Sequence, residues 1–404
     1  MVPIPPRHKP RIEHKKETWR WYGETFDKIT LEEIRQTGAS GIVTALHEIP
    51  YGEVWNREAI ADRRDRIRAT GLDWNVCESL PVHEDIKRGT GDLNRLFANY
   101  RQSLANLAAE GIQTICYNFM PILDWTRTDL NAPVAGGGTC LRFEVKKMAA
   151  FEIHMLKRDR AEDDYPADVV DAASDWFITA SEADQAMLLN SVMAGMPGAF
   201  DRYDIAGLRA VLKTYEGLVA DNIRANYKRF LDEVVPAAAE LGIRLCVHPD
   251  DPPRDILGLP RIVSDEDDIN WIMSVQDTSA NGLTLCTGSL GANPAIDIPG
   301  IARKYANRIH FAHLRSVRKD LDGSFEEAAH LSGDTNIVAV CQALLDEERA
   351  RRDQGRADHE IPFRPDHGHE LLSDAEKGTV PGYPLIGRLR GLAEIRGVFH
   401  ALSH

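Results

Sequence analysis

Short apolar runs alternate along the chain with amphipathic stretches of helical period, and the join between them recurs. A stretch with apolar residues every three to four positions ends at a glycine, and a near-continuous apolar run follows at once. The unit appears as IRQTGASGIVTAL (34–46), IRATGLDWNVCES (67–79), LAAEGIQTICYNF (107–119) and AAELGIRLCVH (238–248). Gly38 or Gly41, Gly71, Gly111 and Gly242 suit the left-handed position that closes a helix, where glycine has no Cβ to clash. Ile223, Tyr227, Phe230/Leu231 and Val234 mark the period before Gly242. Runs that are apolar throughout, not at alternate positions, predict strands buried on both faces of a parallel sheet.

Eight such strands follow from the pattern: TWRWYG (18–23), GIVTAL (41–46), DWNVCE (73–78), TICYNF (114–119), RLCVHP (244–249), GLTLCTG (282–288), IHFAHLR (309–315) and PFRPDH (362–367). Eight strands with helices between them predict an α/β fold, the (β/α)8 TIM barrel. One interval breaks the rhythm. The fourth strand ends near 119 and the fifth begins near 244, so residues from about 126 to 215 are expected to form an insertion. VKKMAAFEIHML and DAASDWF predict that it is mostly helical, and it leaves the top face, where it would cap a site or build a dimer contact. GGGT (136–139) reads as a turn, and VCQALLDEERARRDQG (340–355) as a solvated surface helix. Residues 1–16 read as a disordered, Pro-rich basic tail, and 17–404 as one barrel domain.

Composition narrows the function classes. The 404 residues are 43% hydrophobic, enough for a large core. A net charge of −14 argues against partners with a phosphate backbone or an anionic membrane surface. No apolar stretch approaches the ~20 residues of a membrane span, and MVPIPPRHKPRIEHKK has no apolar core of a secretory signal. Six scattered cysteines without a CxxC argue against a disulfide framework and for a reducing cytoplasm.

The candidate chemistry lies at strand ends. His248, Cys286, His313 and Asp366 each sit at the C-terminal end of one of the last four strands, the rim where active sites of this barrel gather. Two imidazoles, one thiol and one carboxylate suit a divalent transition metal. Any one of these alone reads as a packed core residue; four at equivalent depth do not. Their gaps of 38, 27 and 53 residues are longer than the close pairs of structural zinc sites and favour a site open to substrate. Ligand type leaves Mn²⁺, Fe²⁺ and Zn²⁺ open. By alternation, Cys246 shares a face with His248 but lies one layer down, as core. His367 follows Asp366 directly and is the natural general acid or base there, while His369 reads as supporting or surface. Trp21 and Tyr22, His47, Glu78 and Ser79, Asn118 and Asp124 cluster at the ends of the first four strands. Such a ring of hydrogen-bonding groups suits a polyhydroxylated substrate. Arg315 or Arg127 is expected to clamp a carboxylate, each against the alternative of a rim ion pair. Tyr383, in GTVPGYPLIGR, reads from spacing alone as a packing tyrosine within reach of the site. No dinucleotide-binding GxGxxG, P-loop or GxSxG is present.

The chain resembles the mannonate dehydratases of hexuronate breakdown. The strings that carry the resemblance are TWRWYG, GIVTALHEIPYGEVW, VHEDIK, CYNFMPILDWTRTDL, AAFEIHMLKR, VHPDDPPRDILGLPRIVS, LCTGSLG, HLRSV, EAAHLSGD, RPDHGHE and GYPLIGRLRGLAE, spread from about 18 to 398. The resemblance implies a sugar-isomerase-like barrel, dependence on Mn²⁺ or Fe²⁺, and dehydration of D-mannonate to 2-keto-3-deoxy-D-gluconate. It places the metal on His248, Cys286, His313 and Asp366, and proton transfer on His367 and Tyr383. A small sugar-acid substrate, no nucleic-acid or membrane partner, and a homo-oligomer (by analogy a dimer) are the expected associations. Two rivals use the same fold: a metal-dependent isomerase or epimerase, distinguished by its product, and a non-catalytic sugar-acid-binding protein, expected to have lost part of the metal or acid/base set.

Overall fold

The computed structural model describes residues 16–195 and 203–403. The tail read over 1–16 therefore lies, except for Lys16, outside the described residues. Twelve strands occur in it. Eight of them, β1 (Thr18–Arg20), β2 (Gly41–Thr44), β3 (Asp73–Glu78), β4 (Thr114–Tyr117), β7 (Arg244–Val247), β8 (Asn281–Cys286), β9 (Ile309–Leu314) and β12 (Phe363–Pro365), form one parallel sheet in chain order. A bridge between Glu17 and Phe363 joins its first and last strands, and the Thr18 hydroxyl donates to the Phe363 carbonyl at 2.7 Å. The expected eight-stranded barrel is thus present.

The hydrophobic pattern explains the layers. β8 and β9 are buried at every position, as continuous apolar runs predict. Val43, Val76, Cys116, Cys246 and Phe311, one from each of five strands, pack together inside the barrel. Cys246 is one layer below the rim, in register with Cys116. Gly38, Gly71, Gly111 and Gly242 all adopt positive φ, between 67° and 84°. Gly41 instead opens β2, which resolves the choice between it and Gly38. The helix Ala220–Glu240 buries Ile223, Tyr227, Phe230, Leu231 and Val234 against the sheet.

Two expectations change. The insertion is not simply helical: it begins with a hairpin, β5 (Asp129–Pro133) and β6 (Thr139–Phe143), turning through Gly136–Gly138. A second hairpin, β10 (Ser316–Lys319) and β11 (Phe325–Ala328), leaves the barrel after β9 and pairs β11 against β6. The result is a four-stranded antiparallel sheet in the order β10-β11-β6-β5. The helices Ala167–Thr179, Glu182–Val192 and Ile205–Lys213 follow the first hairpin. The second change concerns the segment read as a solvated helix. Ile337–Asp353 buries Ile337, Val340, Cys341, Leu344 and Leu345 as a barrel helix, and even its Arg351 is buried, donating to the Ala306 and Ile309 carbonyls at 2.9 Å each. Glu348 is buried as well, accepting from the Ile361 backbone N–H at 2.9 Å. No helix among the described residues is long and apolar enough to cross a membrane.

Candidate active site

Parallel registration sets the depth of the site residues. Cys286 pairs with His313 across β8 and β9, and His313 with Arg364 across β9 and β12, so the three lie at one level. His248 and Asp366 follow immediately after β7 and β12. Among the described residues, one group of His, Cys, Asp or Glu side chains has its ligand atoms gathered within 4.8 Å: His248, Cys286 and His313. Asp366 stands beside it, with Oδ2 3.8 Å from the Cys286 sulfur and 3.9 Å from His313 Nδ1.

The electrostatics of this group suit a cation. Burial opposes ionisation of Cys286, but Arg315 and His248 outweigh it and hold the thiol well below its ordinary range. The Ser289 backbone N–H and hydroxyl also donate to the sulfur, at 3.4 and 3.1 Å. Burial likewise opposes protonation of His248, yet the adjacent thiolate raises it to about 10. Each of the two favours the other's charged form. His248 Nδ1 donates to the Pro249 carbonyl at 2.6 Å, which turns Nε2 toward His313, 3.1 Å away. That outer hydrogen bond is the usual support of a metal-binding imidazole. His313 Nε2 is buried and makes no hydrogen bond, although a Glu78 oxygen lies 3.4 Å away. A thiolate, two imidazoles with directed nitrogens and a carboxylate fit a divalent transition metal.

Around the group runs a network of buried acids and guanidiniums. Arg364 forks onto Glu78 at 2.9 and 3.1 Å and also binds Asp366. Burial would raise the pKa of both acids, and Arg364 instead pulls both well below the carboxylate range. Arg315 binds Asp366 at 2.9 Å and also Asp251 and Glu327. Arg127 forks onto Asp251 at 2.7 and 3.1 Å and reaches Glu327 at 2.8 Å. Arg127 and Arg315, expected to clamp a substrate carboxylate, are both fully buried, and their forks are directed at the protein's own acids. Trp21 is buried as well. Its indole N–H donates to the Ile29 carbonyl at 3.1 Å and it packs in the core. β1 ends at Arg20, so both aromatics named there lie just past the strand. Tyr22 stands edge-on to Tyr383 at 5.1 Å and 5.4 Å from His47.

Next to the metal-type group lies a small cavity lined by Glu78, Asn118, Asp124, His248, Asp366, His367 and Tyr383 among others. A neighbouring lobe shares Asn118 and Asp124, and a third, shared through Asp124, contains His47 and Ser79. His367 and Tyr383 meet edge to face, with ring centres 5.0 Å apart. The Tyr383 phenol is held protonated: burial pushes it well above its ordinary value, and Tyr22 and Asp366 add to the shift. Arg388 fixes the loop by donating to the carbonyls of Tyr383, Pro384 and Arg20. His369 supports from behind, hydrogen-bonded to the Glu327 carbonyl at 2.9 Å. Sequence reasoning missed Asp251 and Glu327. Both lie within quoted strings, VHPDDPPRDILGLPRIVS and EAAHLSGD, yet no local period marks either as facing the site.

Comparison with known proteins agrees with this geometry. Residues 15–404 match the family model described as D-mannonate dehydratase (UxuA). The chain is similar to the mannonate dehydratase of Chromohalobacter salexigens, 53% identical over 96% of this chain and 98% of the relative. It is also similar to mannonate dehydratase 1 of Agrobacterium fabrum, 50% identical over 96% and 97%. Among solved structures, the mannonate dehydratase of Streptococcus suis serotype 2 superposes with a TM-score of 0.75 at 33% identity, covering 96% of this chain and 93% of that one.

Proposed function

Because the chain belongs to the D-mannonate dehydratase family, we propose that it is a hydro-lyase converting D-mannonate to 2-keto-3-deoxy-D-gluconate in hexuronate catabolism. The observation that carries the reading is the convergence of His367 and Tyr383 on the same cavity as the metal-type donors. We assign His248, Cys286, His313 and Asp366 as the residues that would hold one divalent cation, Mn²⁺ or Fe²⁺. Bound there, the ion supplies a Lewis acid beside the substrate's carboxylate and hydroxyl oxygens, offsetting the charge that builds when the C2 proton leaves.

The remaining work falls to side chains. An aldonate C2–H is weakly acidic, so its removal needs a base within hydrogen-bond reach. His367 takes that role, because Tyr383 is kept protonated by its burial. The Tyr383 phenol donates its proton to the departing C3 hydroxyl, and water leaves. The enol formed between C2 and C3 then ketonises. Asn118 and Asp124 line two of the lobes and hydrogen-bond the substrate's other hydroxyls, with His47 at the far end of the third. Arg315 and Arg364 act on the acids, keeping Asp366 and Glu78 ionised. A cytoplasmic homo-oligomer, in the simplest case a dimer, belongs to the same reading. The test is His367→Asn with metal content measured in parallel. Loss of turnover with metal retained supports the assignment; turnover near the wild-type rate removes His367 from the mechanism.

A further inference from the structure

We propose that Glu327, carried by the hairpin of β10 and β11, is the positioning residue of His367, holding its ring with hydrogen on Nδ1 and Nε2 turned to the cavity. The inference deepens the reading of His367 as base and rests on it. Glu327 comes from β11, more than thirty residues before the loop it serves, and enters with the antiparallel sheet rather than with the barrel. Its Oε1 lies 2.9 Å from His367 Nδ1 and its backbone carbonyl accepts from His369. One residue of β11 therefore grips the segment RPDHGHE at two points.

The direction of the side-chain bond follows from charge. Oε1 also accepts from Arg127 at 2.8 Å and from Arg315, so the carboxylate is ionised, and burial is outweighed by Arg315 and His367. A lone pair on Nδ1 facing a carboxylate oxygen at 2.9 Å would be repelled. Arg315 Nη1 approaches Nδ1 as well, but at 3.3 Å, and is bonded to the same oxygen. Nδ1 therefore carries hydrogen in both charge states of the ring, and in the neutral ring Nε2 carries the lone pair. A base that must accept a carbon-bound proton at Nε2 needs this tautomer. Glu327 also dictates what its amide would do. Three donors converge on Oε1, whereas Oε2 is buried without a partner. Glu327→Gln would keep its oxygen at Oε1 and so keep the tautomer, while Glu327→Ala would release it.

The test reads the ring nitrogens directly. Chain labelled with ¹⁵N-histidine, metal-free and loaded with diamagnetic Zn²⁺, is examined by NMR, with His367 assigned by difference against His367→Asn. The expected result is hydrogen on Nδ1 in the wild type and in Glu327→Gln, and loss of that preference in Glu327→Ala. In the Mn²⁺-loaded enzyme, kcat is expected to fall about 10²-fold or more in Glu327→Ala with KM within about threefold, and less than about tenfold in Glu327→Gln. Hydrogen on Nε2 of the wild-type ring overturns the proposal without recourse to any variant, as does an unchanged tautomer in folded Glu327→Ala. A changed tautomer with unchanged kcat also overturns it, by way of the base assignment, and activity of His367→Asn identifies that cause.

Discussion

Asp251 carries a disproportionate share of the charge balance around the site. It takes a two-bond fork from Arg127, at 2.7 and 3.1 Å, and a further bond from Arg315. The three side chains are at most 3% exposed. Burial raises the carboxyl's pKa, but the two guanidiniums win and lower it from 3.8 to about 2. A depression of about two units corresponds to about 2–3 kcal/mol of stability. Because the folded value lies below the unfolded one, that contribution is complete above about pH 4 and is lost as pH falls toward 2. Asp251→Asn removes the charge but keeps the shape and an acceptor, and should cost about 2–3 kcal/mol at pH 7. Asp251→Ala also strands part of two buried cations. Breaking a buried pair costs about 3–5 kcal/mol, and Glu327, still bonded to both arginines, keeps the loss toward the lower end. The assay is urea unfolding of the full chain followed by far-UV circular dichroism at pH 7 and at steps down to pH 3. The gap between wild type and Asp251→Asn should narrow below pH 4. If Asp251→Ala unfolds within about 0.5 kcal/mol of wild type at pH 7, the guanidiniums are balanced elsewhere and the reasoning fails.

Three further outcomes follow from the same geometry. Cys286→Ser replaces a thiolate with a hydroxyl that stays protonated, and bound metal after dialysis should drop at least about tenfold; stoichiometric metal in that variant would remove Cys286 from the ligand set. Tyr383→Phe leaves the ring packing against Tyr22 and His367 and removes the proton donor together with its hydrogen bond to Tyr22, so kcat should fall about 10²-fold or more with the melting temperature within a few degrees. Gly387→Ala points a methyl at the His369 carbonyl, a backbone atom that cannot swing aside, and should destabilise by about 1–3 kcal/mol, read as a lower urea midpoint; an unchanged midpoint would show that the RPDHGHE loop yields.

What the sequence discloses here is what local periodicity can encode. Continuous apolar runs and glycine stops locate the barrel strands, and the strand ends then bring His248, Cys286, His313 and Asp366 to one rim. Tertiary pairing is encoded elsewhere. β6 and β11 meet across about 180 residues of chain, and β5, with Asp129, Asn131 and Pro133, has the composition of a loop until it is paired. Glu327 is invisible for the same reason: it reaches the site through that pairing. A three-residue strand is too short for alternation to say how Trp21 and Tyr22, just past its end, are directed. Arg127 and Arg315 look like substrate clamps because a guanidinium binds any carboxylate, and only the fold shows Asp251 already in the fork.

The most direct measurement of the central claim is turnover of D-mannonate by metal-stripped protein with and without added Mn²⁺, scoring the 2-keto-3-deoxy acid. The account predicts product only when metal is present. Product formed equally without metal, or an isomerised substrate in place of a 2-keto-3-deoxy acid, would contradict it.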